Sequence, residues 1–142
     1  MRFMVITKAT AASEAGVPPA TEDFDTMGAF IQDLMDAGVL LAAEGLHPSS
    51  QGVRIVAEGD STTVVDGPFT ETKELIAGFF LVETKSLEEC VEWFKRYPIR
   101  PPAGEPGIIE IRPVIQAGDY SETMTGEQRE AVAERDKSTR YT

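Results

Sequence analysis

Two segments far apart in the chain are apolar at successive positions, so neither side of either one is polar. In "RFMVIT", Phe3 and Val5 fall on one face of an extended strand, and Met4 and Ile6 fall on the other. The run that begins at Ile76, "IAGFFLVET", carries no polar side chain before Glu83. Strands of this kind have to be covered on both sides, as a wetted apolar face forfeits the hydrophobic contribution of its whole area. What the remaining segments can supply as cover decides what the chain can build.

Helical cover comes from two places. Phe24, Met27, Phe30, Ile31, Leu34 and Met35 recur at helical spacing. Thr21 is placed to cap their helix, Glu22 and Asp23 sit in a first turn that favours anions, and Gly38 marks the stop. Ser86-Leu87-Glu88-Glu89 is a capping box, followed by the stripe Leu87, Cys90, Val91 and Phe94, with Pro98 as the terminator. Val39–Leu46 reads as a short buried strand. "VRIVAEG" and "TTVVDG" alternate and are joined by "EGDS", which predicts a hairpin. Ile76–Thr84 is the most apolar strand and so the central one, and Ile108–Val114 is the last. The stretch "KATAASEAGVPPAT" between the first strand and the first helix reads as a loop, long enough to be mobile or to cover a site.

The order is strand, helix, strand, hairpin, strand, helix, strand. Without the hairpin this is the split βαβ repeat, so the fold class is α+β, a ferredoxin-like βαββαβ domain with an inserted β-hairpin. Two helices cover one face of such a sheet. The apolar second face therefore calls for a second copy packed sheet against sheet, a homodimer with a cavity between the sheets.

The chain has 142 residues, 42% of them apolar, which suits one domain with one core. Residues 1–115 hold all the patterned segments, and residues 116–142 read as a polar C-terminal tail with a short helix near Gly126–Arg135. A net charge of −11 with no basic cluster excludes nucleic acid as a direct partner. The longest uncharged apolar run, Ile76–Val82, is far short of a membrane span, and Lys8 interrupts the N-terminal run before it reaches the length of a signal-peptide core. Cys90 is the only cysteine, so no disulfide forms within the chain; a buried thiol in a reducing cytoplasm is the expectation.

Chemistry-bearing residues are few. Asp66 closes a strand and opens a Gly-Pro turn, where it either accepts turn N–H groups or presents a carboxylate to a cleft. Glu71, Lys73 and Glu74 are a solvated charge cluster or a network at a cavity mouth, with Lys73 as an anion contact. His47, the only histidine, lies in a Pro-Ser loop just after a strand; histidine is the residue type best suited to proton transfer near neutrality. Arg54 and Arg112 lie on predicted strands and either grip a substrate carboxylate or pair with Glu58 or Glu110. There is no Ser-His-Asp spacing and no glycine-rich phosphate loop. One histidine and one cysteine do not make a dedicated zinc site, so no metal and no cofactor are expected.

Three stretches, "VVDGPFTETKELIAGFFLVE", "AAEGLHPSS" and "GIIEIRP", resemble the YCII-related family, specifically its DGPF-domain branch, over roughly residues 1–115. The resemblance implies a dimeric α+β barrel of ferredoxin-like subunits and a His–Asp pair in a cleft. Asp66 matches the acid of the motif, and His47 is the one histidine available to it. The resemblance also implies a regulatory setting, since family members occur beside or fused to extracytoplasmic-function sigma factors in some bacteria. Two functions are therefore expected to compete. One is small-molecule binding in the barrel cleft with weak acid/base activity, using Asp66, His47 and an arginine. The other is a non-catalytic regulatory module that contacts a protein partner. Asp66, fixed between a strand and a turn, is expected to matter more than His47.

Overall fold

In the computed structural model, residues 1–102, 104–120 and 122–139 are described. The elements are β1 (Arg2–Lys8), α1 (Ala11–Glu14), α2 (Thr21–Asp36), β2 (Leu40–Gly45), β3 (Val53–Glu58), β4 (Ser61–Asp66), β5 (Ile76–Glu83), α3 (Leu87–Phe94), β6 (Ile109–Pro113) and α4 (Gly126–Thr139). Four strands form one sheet in the order β2-β5-β1-β6, every neighbouring pair antiparallel. β1 and β2 thus run parallel with β5 between them, and β5 and β6 run parallel with β1 between them. These are two interleaved split βαβ units, the ferredoxin-like arrangement.

One face of this sheet carries the core. Phe3 and Val5 of β1 and Phe80 and Val82 of β5 meet Phe30 and Leu34 of α2 and Cys90 and Phe94 of α3. The rings of Phe30, Phe80 and Phe94 pack edge to face at centroid distances of 5.2–6.1 Å. On the other face the register sets Met4 opposite Leu81 and Ile6 opposite Phe79. Ala42 and Arg112 extend the first of these rows, and Glu44 and Glu110 extend the second. Met4, Ile6, Phe79 and Leu81 all lie outside the core cluster.

Local signals fix the ends of α2. The Gly38 N–H donates to Met35 O (3.0 Å) and the Val39 N–H to Leu34 O (2.9 Å), a Schellman closure with Gly38 at φ 70° and the C″ residue Val39 buried in the same cluster as Leu34. At the other end Thr21 is the first helical residue rather than the cap. Ala20 occupies the cap, and its N–H donates to the Asp23 carboxylate at 3.2 Å. Phe24 and Met35, at the two ends of the expected stripe, are exposed. In α3 the Glu89 N–H donates to Ser86 Oγ (3.2 Å), but the Glu89 carboxylate accepts from Lys85 N–H (2.8 Å), so the box is only half formed. That helix ends at Phe94, short of Pro98: the intervening residues close single turns, because the position before a proline disfavours helix.

Two further segments differ from expectation. The stretch read as a loop contains α1, because Thr10 and Ser13 cap each other reciprocally (Thr10 N–H to Ser13 Oγ 2.8 Å, Ser13 N–H to Thr10 Oγ1 3.1 Å). The tail helix α4 extends to Thr139, beyond the expected Arg135. β3 and β4 form a separate two-stranded sheet in which every residue is exposed, turned by Gly59 at φ 57°. Among the described residues no helix is long and apolar enough to cross a membrane.

Candidate functional site

The Asp-Gly-Pro-Phe run is docked on the 3-10 turn Ser49–Gln51. Gly67 donates its N–H to Gly52 O at 2.9 Å. A β-carbon on residue 67 would sit 1.8 Å from the Ser49 carbonyl oxygen, so only glycine fits there. The Gly67–Pro68 peptide is cis. Phe69 then donates its N–H to Ser49 Oγ (3.1 Å), and its ring lies 3.8 Å beneath the Arg54 guanidinium. After the 3-10 turn Thr72–Glu74 the chain is tied to the main sheet, Leu75 O accepting from Ala9 N–H at 2.9 Å. The motif thus fastens the exposed hairpin to the body of the domain.

Ser49 is in turn held by α1. Its N–H donates to Glu14 Oε1 at 3.0 Å and its hydroxyl donates to Glu14 Oε2. One hydroxyl therefore accepts from Phe69 and donates to Glu14, which orients α1, the Ser49–Gln51 turn and the motif relative to one another.

These elements enclose a cleft of about 370 Å³. Its polar groups include Glu14, His47, Ser49 and Arg54; Leu46, Phe69, Leu75 and Ile76 supply apolar wall. Leu46 N–H donates to Ala77 O (2.8 Å), which anchors the loop that carries His47. His47 is exposed, so its imidazole is open to a bound molecule. Arg54 makes no ion pair among the described residues; stacked on Phe69, its guanidinium keeps its N–H edge for an anion. The Glu14 carboxylate already accepts two hydrogen bonds and acts as the organiser of the wall.

Of the candidates read from sequence, His47 and Arg54 come together in this cleft. Asp66 lies at the exposed end of β4 opposite Val53, outside the cleft lining, and no hydrogen bond or ion pair engages its carboxylate among the described residues. Glu71 and Lys73 are exposed on the 3-10 turn and its flank and line no part of the cleft. Arg112 sits on the outer sheet face, its Nη1 3.4 Å from Glu110 Oε2. Among the described residues no group of three or more His, Cys, Asp or Glu side chains is placed to hold a metal ion. Glu14, Ser49 and Phe69 were not singled out from sequence. The Thr10–Ser13 capping pair is the signal that would have drawn attention to Glu14.

An antiparallel βαββαβ sheet, helices on one face and a hairpin inserted before its central strand define a ferredoxin-like α+β domain. The chain belongs to the family of YCII-related domains, whose model matches residues 1–117. It is 32% identical over 80 residues to an uncharacterized protein of Rhizobium meliloti, an alignment covering 56% of this chain and 63% of that relative, so the match spans less than two thirds of the relative's length. Among solved structures it is similar to the 5-chloro-2-hydroxyhydroquinone dehydrochlorinase of Burkholderia phenoliruptrix in complex with 2,5-dihydroxybenzoquinone, at 14% identity and a TM-score of 0.43, covering 82% of this chain and 95% of that one.

Proposed function

We propose that this protein binds a small organic molecule in the cleft at the foot of the hairpin and that His47 exchanges a proton with it. The observation that carries the reading is the company His47 keeps: Arg54, Glu14 and Ser49 line the same cleft as Leu46, Phe69, Leu75 and Ile76. A few polar groups on an apolar wall suit a small organic ligand with one acidic function. Arg54 receives the anionic end, the ring of Phe69 and the aliphatic wall take the body, and the imidazole, open to solvent, takes up or returns the proton. In this reading a second copy covers the outer sheet face and completes an α+β barrel. The setting is the cytoplasm, in keeping with the fully buried Cys90 thiol.

The test is a thermal-shift titration with a panel of small phenols, run on the parent and on the Arg54→Ala, His47→Ala and Asp66→Asn variants. At least one compound is expected to raise Tm in the parent. The rise should vanish in Arg54→Ala and weaken in His47→Ala. A rise of equal size in both would sink the reading, and loss in Asp66→Asn at parent stability would place that carboxylate in the site.

One observation favours the regulatory reading. The hairpin leaves Val53, Ile55 and Val64 on one face at 57%, 70% and 61% exposure, an apolar surface suited to a protein partner. If contact with such a partner is the function, replacing Ile55 and Val64 by glutamate abolishes activity in cells while ligand-induced Tm shifts persist.

A further inference from the structure

A second cavity, of about 550 Å³, lies on the other side of α1. Thr10, Ala12 and Ser13 line it, whereas Glu14 of the same segment lines the His47 cleft, so α1 is the partition between the two. We propose that this second cavity is a binding site for a small organic monoacid with an apolar body, its carboxylate held by Arg100 with the Tyr97 hydroxyl beside it. The inference is independent of the reading of the His47 cleft.

Charge gives the sign of the ligand. The chain as a whole carries −11, yet the charged groups lining this cavity are Lys8, Arg100 and a single carboxylate, Asp23. Asp23 is already engaged by the Ala20 N–H at 3.2 Å. The Lys8 ammonium is turned to Glu110 on the outer sheet face, 3.7 Å away, which leaves Arg100 as the cation for a ligand here. Arg100 is positioned from behind: Nη1 donates to Tyr97 O at 2.6 Å, which leaves the rest of the guanidinium for a carboxylate.

The walls give the body of the ligand. Val17, Pro18, Pro19, Ile99, Pro101 and Pro102 line the cavity. Prolines are stiff and carry no N–H, so this surface is apolar and has little conformational entropy to lose when a ligand seats on it. Its geometry is fixed by neighbours. A β-carbon on Gly107 would meet Pro101 Cδ at 2.9 Å, and the Ala11 N–H donates to Glu105 Oε1 at 2.6 Å, tying this loop to α1. Tyr97 adds a polar donor. Its ring is held edge-on by Phe30 and Phe80 at 6.0 and 6.1 Å, and its hydroxyl has no partner among the described residues. Burial raises the Tyr97 pKa, which keeps the phenol protonated and able to donate to a carboxylate. The volume lies within the usual range of ligand sites.

The experiment is calorimetric titration of the full chain with benzoate and octanoate, with benzyl alcohol and benzylamine as neutral and cationic counterparts. At least one acid should bind saturably, and more tightly than its counterparts by roughly tenfold. Arg100→Gln should weaken that binding by roughly tenfold or more, while His47→Ala leaves it unchanged. A second variant keeps the cation: Ile99→Trp fills the cavity from its wall and should block the acid. The proposal is overturned if neither acid binds at millimolar concentration, or if alcohol and acid bind alike. It is equally overturned if the charge-deleted and filled variants both retain the acid, or if His47→Ala abolishes binding while they retain it.

Discussion

At position 67 a single methyl group decides whether the motif can dock. The β-carbon of an alanine would lie 1.8 Å from the Ser49 carbonyl oxygen and 2.7 Å from its carbon, both backbone atoms that no rotamer change moves. Gly67→Ala is expected to lower stability by about 1–3 kcal/mol, the range for forcing extra volume into a packed site, and to loosen the His47 cleft. Urea unfolding checks the first effect. An alanine variant as stable as the parent would mean that the turn does not rest on Ser49. The sequence made this run conspicuous, and its first residue, Asp66, drew attention as a candidate. The packing contacts instead belong to Gly67 and Phe69, because what the motif meets is a turn some twenty residues upstream, and nothing local announces that meeting. Cys90 offers a second test. Its thiol is fully buried, and burial, with Glu89 adding to it, pushes its pKa up to about 11. In the unfolded chain the thiol loses its proton near about 8.5. Between those values the folded state binds more protons, so stability falls as pH rises; below that window the thiol is neutral in both states and contributes no slope. Parent stability should therefore fall more steeply than that of Cys90→Ala from about pH 9 to 11. Parallel slopes would show that the thiol is not held neutral by the fold.

The strands and long helices were legible because each repeats a period over enough residues to register. Met27, Phe30, Ile31 and Leu34 show three-to-four spacing, and all pack in or against the core. α1 has four residues, too few for any period, and only its reciprocal Thr10–Ser13 caps mark it. The hairpin was legible as an element but not in its surroundings. Alternation such as Val53, Arg54, Ile55 normally signals one buried face, yet both faces of β3 and β4 are exposed. What an alternating strand faces is decided by tertiary or quaternary contacts that a period of two does not contain. The tail is the reverse case: α4 is a helix without an apolar stripe, and no described residue from 117 to 138 is buried. We expect removal of residues 117–142 to leave unfolding cooperative and within about 1 kcal/mol of the parent, since little apolar area is lost. A non-cooperative transition in the truncated chain would assign the tail a packing role.

For the molecule as a whole, the outstanding question is what covers the second face of the sheet. Met4, Ile6 and Phe79, each half-buried, and Leu81, already buried, form a contiguous apolar patch there, with Glu44, Glu110 and Arg112 extending its rows. α2 and α3 are committed to the opposite face, where their buried residues join Phe3, Val5, Phe80 and Val82. The sequence contained the two-faced apolarity of β1 and β5; it did not contain the partner. A second copy of the same sheet is the economical cover, since a two-fold axis sets one patch on its own image and keeps the charged ends of the rows at the rim. At about 25 cal/mol per Å² of apolar surface, a stable interface needs burial on the order of 1,000 Å² or more in total. Light scattering is expected to report twice the chain mass of 15.5 kDa. Phe79→Glu places a charge in the patch while leaving the core cluster untouched, so it should yield a folded species of single-chain mass. Ile55→Glu, on the hairpin, should leave the doubled mass unchanged. A parent of single-chain mass would reject the dimer outright. A doubled mass that survives Phe79→Glu but collapses in Ile55→Glu would instead assign the contact to the hairpin and leave the sheet face to another partner.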